Sequence, residues 1–142
     1  VNTALARTLA IDYGRKRIGL AISDPLGIIA SPAGFIDRRE GKRPPVTKVI
    51  ARANELGARG YLVGLPLDGE GNETDWTAEV RHFGAEIAKR TGMPVRFYDE
   101  RFTTAAALRT VKEMEQSTRG RKGDVDALAA AILLQHALNA ST

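Results

Sequence analysis

The stretch Leu9–Asp24, LAIDYGRKRIGLAISD, constrains this chain more than any other. Leu9-Ala10-Ile11 is an apolar run that ends in one carboxylate, Asp12. A turn of Tyr13-Gly14-Arg15-Lys16 follows, and a second apolar run, Ile18 to Ile22, comes straight back. Two β-rich runs joined by glycine and charge predict a hairpin. An acid at the head of a central strand is costly to bury unless something compensates it. A cation bound at the end of the sheet would do so. Capping of the turn by the Asp12 carboxylate would also do so. The hairpin alone leaves both readings open.

The 142 residues suit one domain, 1–142, able to bury its own core. Cysteine is absent, which excludes disulfides, thiolate metal sites and a cysteine nucleophile. His82 and His136 are the two histidines, too few for a three-histidine zinc centre within one chain. No apolar run reaches the ~18 residues of a membrane span. The N-terminal residues do not read as a signal peptide, so a cytoplasmic protein is expected. The net charge of +4 permits an anionic partner. Its distribution says more. Arg15-Lys16-Arg17, then Arg38, Arg39, Lys42 and Arg43, then Arg119, Arg121 and Lys122 form three basic clusters in expected loops. Clusters beside carboxylate-bearing turns favour a phosphate backbone as the partner.

Taken in order, Thr8–Asp12 and Arg17–Asp24 are expected strands. Ile28–Ile36 is a third, with Ser31-Pro32 marking an edge strand or a bulge. Val46–Leu56 places Val46, Val49, Ile50, Ala53 and Leu56 on one helical face. Tyr61–Val63 is a short buried strand, closed by Gly64-Leu65-Pro66-Leu67. Asn72 or Thr74 can cap a helix carrying Trp76, Val80, Phe83 and Ile87 as a core stripe. Val95–Tyr98 is the fifth strand. A helix from Thr103 through Met114 and another from Val125 to Ala137 follow, the latter capped by Asp124 with Val125, Leu128, Ala129, Ile132 and Leu133 inward. The first three strands form an antiparallel meander, and the later two enter through crossovers parallel to the first. The fold class is α/β, a mixed five-stranded sheet flanked by helices.

Three acids fall at related places. Asp12 ends strand one, Glu100 follows the last strand, and Asp126 opens the last helix. Strand carboxyl ends gather on one edge of such a sheet and form its usual crevice. Hard oxygen ligands without His or Cys suit Mg2+ or Mn2+. Each acid also has an ordinary reading. Glu100 can pair with Arg101, and Asp126 can favour the helix dipole. Asp99 and Asp124 are further ligand candidates, and Asp24 suits the turn Pro25-Leu26-Gly27. Lys16, Arg17 and Arg101 are candidates for backbone phosphates, with Arg119, Arg121 and Lys122 flanking the same cleft.

Four stretches sharpen the choice. They are Ala10–Gly19 (AIDYGRKRIG), Gly64-Leu65-Pro66-Leu67, Asp99–Thr104 (DERFTT) and Lys122–Ala130 (KGDVDALAA). In this order and spacing the chain resembles the bacterial pre-16S rRNA nuclease family. That family is related to Holliday-junction resolvases and has a ribonuclease H-like fold. The resemblance implies a cytoplasmic, metal-dependent phosphodiester hydrolase with Asp12, Glu100 and Asp126 as catalytic metal ligands. Asp124 stands beside them as a further ligand or a helix cap. The substrate implied is structured RNA, the precursor 16S rRNA at its 5′ end, in association with a ribosomal precursor. Branched DNA is the rival substrate, for which a homodimer would pair the two cuts. A non-catalytic RNA-binding module of ribosome assembly is the rival of another class. Asp12-Tyr13-Gly14 with Gly19 also resembles the phosphate hairpin of the sugar kinase and actin superfamily. That reading calls for a second nucleotide-binding domain and a much longer chain.

Overall fold

A computed structural model describes residues 7–39, 41–104 and 122–140. Its five strands are β1 (Thr8–Tyr13), β2 (Arg17–Ser23), β3 (Ala30–Asp37), β4 (Gly60–Leu65) and β5 (Val95–Asp99). The sheet order is β3-β2-β1-β4-β5. β1 runs antiparallel to β2, with Asp12 opposite Gly19, and β2 runs antiparallel to β3. β4 is parallel to both β1 and β5. The mixed five-stranded sheet expected from the sequence is the sheet observed. β3 is an edge strand, and its register with β2 shifts between Gly19 and Ala21, beside Pro32. A proline lacks the donor a continuous ladder requires, which fits both features.

The strand period of two divides the core. Leu9, Ile11 and Tyr13 of β1 face one side with Ile18, Leu20, Tyr61 and Val63. Helices α1 (Val46–Glu55) and α2 (Asp75–Thr91) cover that side through Val49, Ala53, Val80, Phe83 and Ile87. Ala10, Ala21 and Leu62 point the other way, under α3 (Lys122–Ala140). Asp12 alternates with Ile11 and Tyr13, so it also lies on the α3 side. Burying such alternating faces supplies the main favourable term of folding.

Local signals fix the helix ends. The Thr74 hydroxyl accepts from the Thr77 N–H, and the Thr77 hydroxyl accepts from the Thr74 N–H, a reciprocal capping box. α1 starts after Pro45 without a side-chain cap. α3 differs from expectation in two respects. It starts at Lys122, so Asp124 lies inside the first turn, not at the cap. There an acid still complements the positive end of the helix. Leu128, expected inward, is 44% exposed, while Ala127, Ala130, Leu134 and Leu138 are buried. α3 is apolar on nearly every side, so apolar spacing does not fix which face packs. The helix expected from Thr103 to Met114 falls, beyond residue 104, outside the described residues.

Candidate active site

Asp12, Glu100 and Asp126 are all buried, with 4%, 5% and 4% of their surface exposed. They come from a central strand, the 3-10 turn after β5 (Glu100–Phe102), and α3. Two glycines relate them. Gly19 is the register partner of Asp12, and its α-carbon lies against the backbone of Asp126. A β-carbon at Gly19 would clash with that backbone and stand 2.9 Å from the Asp126 Cβ. Helix α3 therefore meets the sheet one strand over from Asp12. Gly64 follows Val63, the parallel partner of Ile11, just as Asp12 follows Ile11. A β-carbon at Gly64 would lie 3.1 Å from the Glu100 Oε2 and 3.0 Å from the Leu133 Cδ2. So the Glu100 carboxylate crosses over β4 toward β1. The absence of side chains at these two positions lets Asp126 approach β2 and the Glu100 carboxylate approach β4.

Arg17 opens β2 and donates through Nε to the Asp126 Oδ2 at 2.8 Å. The two side chains are 17% and 5% exposed, so the pair is largely shielded from water. Asp124 is exposed, in contrast to Asp126 two residues on. Among the described residues, no group of three or more His, Asp or Glu is arranged to hold a metal ion as it stands. The donor chemistry nevertheless suits a hard divalent cation, because three buried carboxylates supply only oxygen.

The other expected residues divide. Lys16 is exposed at the hairpin tip. Arg101 donates from Nη2 to the Asp99 Oδ2 at 2.8 Å and lies against Gly71. The hydrogen bond from the Arg101 side chain is the main reason the Asp99 carboxyl is held below its usual range. The Thr103 hydroxyl donates to the Glu100 carbonyl at 2.9 Å and fixes the turn that carries the acid. Arg119 and Arg121 lie outside the described residues, and Lys122 is placed only as the first residue of α3.

Arg38 departs from the free loop cation the sequence suggests. Its side chain is 6% exposed. Its guanidinium lies 4.7 Å from the Tyr13 ring centre and donates to the Gly14 carbonyl at 3.1 Å. Trp76 stacks on the other part of this cluster, 5.4 Å from Tyr13, with the Arg15 guanidinium over it at 4.1 Å. Burial is the first cause that pushes the Tyr13 phenol up, and its hydroxyl donates to Glu79 at 3.0 Å. This aromatic and arginine stack braces the hairpin from the face opposite Asp12. Sequence reasoning did not find the Arg17–Asp126 pair or the seat under Asp126. The signal for the seat was present, since a glycine inside a strand often marks close approach by another backbone.

A family model described as RuvX, Holliday junction resolvase, matches residues 6–140. A protein of Clavibacter michiganensis is 39% identical over 94% of this chain and 83% of its own length. One of Koribacter versatilis is 40% identical over 91% of this chain and 84% of its own. Both carry the name "Putative pre-16S rRNA nuclease". The structure of Thermus thermophilus RuvC in complex with a Holliday junction substrate superposes with a TM-score of 0.56 at 18% identity, covering 95% of each chain. That likeness is one of fold, the ribonuclease H-like arrangement. By the extent of these matches, the chain belongs to the RuvX family of bacterial pre-16S rRNA nucleases.

Proposed function

We propose that this protein is a divalent-metal-dependent endonuclease that trims the 5′ end of precursor 16S rRNA in the cytoplasm. The observation that carries the reading is the burial of Asp12, Glu100 and Asp126 around the Gly19 and Gly64 contacts. Burying a carboxylate is expensive even where it is paired, as Asp126 is with Arg17, and each of these three acids is buried. A fold tolerates that cost where the charges serve a bound cation.

Asp12, Glu100 and Asp126 would hold Mg2+ or Mn2+, and Asp124, the further candidate, is exposed. When bound, such an ion eases deprotonation of water and offsets charge at a phosphodiester. Asp12 sits on the strand flanked on both sides, so its position is the most rigid of the three. Glu100 is positioned by the 3-10 turn and by Thr103. Lys16, exposed at the hairpin tip, would bind a backbone phosphate, and Arg101, Arg119, Arg121 and Lys122 are the further candidates that the sequence names.

One finding favours a second reading. The matching family model is described as a Holliday junction resolvase, and a RuvC bound to a junction shares the fold. Branched DNA cut by a homodimer is therefore the competing substrate. The test is side-by-side turnover of a precursor 16S rRNA end fragment and a four-way DNA junction, with sedimentation of the protein. Cleavage of the RNA by a monomer supports the first reading. Cleavage of only the junction supports the second. Binding without metal-dependent cleavage of either would make the protein an assembly factor that binds RNA.

A further inference from the structure

The Arg17–Asp126 pair has a consequence for how the acid cluster is loaded. Arg17 shares the α3 face of β2 with Gly19, and Gly19 lies under Asp126 and opposite Asp12. Its guanidinium is therefore held beside Asp126, not out on the surface. The Nε–Oδ2 separation is 2.8 Å, with 17% and 5% of the two side chains exposed. Taking such a pair out of water costs free energy that its own attraction offsets only partly. The arginine offsets the negative charge of Asp126, one of the three buried acids.

A divalent cation at ligand distance from the same Oδ2 would stand about 4 Å from the arginine nitrogen. At that separation, in a site with little water, two cations repel strongly. Arg17 and the ion are thus rival partners for one oxygen.

We propose that Arg17 is a built-in counter-ion that holds Asp126 until a divalent cation displaces it, and that the released guanidinium then turns to a substrate phosphate. The inference rests on the metal-dependent reading above. Metal and nucleic acid would then bind cooperatively through one side chain, each raising the affinity of the other by the same factor. Arg17 is in this account a positioning residue in the empty site and a phosphate ligand in the loaded one.

The experiment follows the Arg17 Nε–H signal in protein labelled with 15N-arginine, assigned by its loss in Arg17→Gln. Without metal the signal should stand apart from those of solvent-exposed arginines. Saturating Mg2+ should move it among them. Mn2+ binding, read by electron paramagnetic resonance of the free ion, should tighten roughly tenfold in Arg17→Gln and stay near the wild-type value in Arg17→Lys. Mg2+ should also raise the melting temperature of Arg17→Gln more than that of the wild type. Metal binding that leaves the Arg17 signal unmoved and is equal in all three proteins would overturn the exchange while leaving the metal site intact. No metal binding by wild type or Arg17→Gln would overturn the metal-dependent reading itself, and the exchange with it.

Discussion

Gly19 lies beneath Asp126, close enough that a β-carbon there would stand 2.9 Å from the Asp126 Cβ. The contact is with helix backbone, which cannot step aside as a flexible side chain can. Gly19→Ala should push the start of α3 off the sheet and cost about 1–3 kcal/mol, as overpacking does. The urea midpoint should fall. Turnover measured under conditions where the variant is folded should fall as well, because Asp126 moves away from Asp12. Wild-type stability in this variant would show that α3 does not rest on Gly19.

Gly64 offers a gentler perturbation. Its added β-carbon would meet the tips of two side chains, Leu133 at 3.0 Å and Glu100 at 3.1 Å. Both can shift by a fraction of an ångström. Gly64→Ala should therefore keep most of its stability while displacing the Glu100 carboxylate. A tenfold loss of turnover, a barrier rise of about 1.4 kcal/mol, is the expected scale. Parallel urea melts and cleavage rates separate the two effects. Unchanged turnover in a folded variant would remove Glu100 from the reacting centre.

Asp24 makes stability depend on pH at the opposite end of the hairpin. Its carboxylate accepts from the N–H groups of Ile28 and Ile29, each at 2.7 Å, and of Leu26 at 3.2 Å. These bonds, that from Ile29 first, hold its carboxyl below the usual carboxylate range. The folded chain thus releases this proton more readily than the unfolded chain. The stabilisation is fully present above the unfolded value of about 3.9 and is lost as pH falls through the lower folded value. Asp24→Asn should be less stable than wild type at neutral pH, and the gap should close in strong acid. Urea midpoints at several pH values test this, and a gap independent of pH would contradict it.

Lys16 and Arg38 should respond differently although both belong to the basic clusters of the sequence. Lys16 is exposed, so Lys16→Ala should weaken RNA binding and reduce the salt slope by about one. Arg38 is packed over Tyr13, so Arg38→Ala should lower stability and leave that slope nearly unchanged. Anisotropy titrations across a salt series, with urea melts alongside, distinguish the two. Identical slopes for wild type and Lys16→Ala would argue against a phosphate contact at the hairpin tip.

The contrast marks what the sequence could tell. The alternation Leu9-Ala10-Ile11-Asp12-Tyr13 made the hairpin, its two faces and the side of Asp12 readable, because a strand has only two faces. The spacing of Val80, Phe83 and Ile87 made α2 readable, and Thr74 is one of the two caps expected for it. α3 was readable as a helix but not in its packing face, since alanine and leucine occupy nearly all of its circumference. Residue type alone gave Arg17 and Arg38 as loop cations. Their partners, Asp126 and Tyr13, depend on how the hairpin meets α3 and α2, which local pattern does not specify. The candidate acids could be named from their places at strand and helix ends. How near Asp126 and Glu100 come to the sheet depends on Gly19 and Gly64, whose role is one of absent volume.

The most direct test of the account is the metal-dependent cleavage rate of Asp12→Asn on a precursor 16S rRNA end fragment. The substitution keeps the size of the side chain and removes its negative charge. The account predicts a folded protein that binds the RNA in EDTA about as well as wild type. Its cleavage with Mg2+ or Mn2+ should be slower by ~100-fold or more, a barrier rise of roughly 3 kcal/mol. Full metal-dependent cleavage by folded Asp12→Asn would contradict the central claim that this buried carboxylate holds the ion the reaction needs.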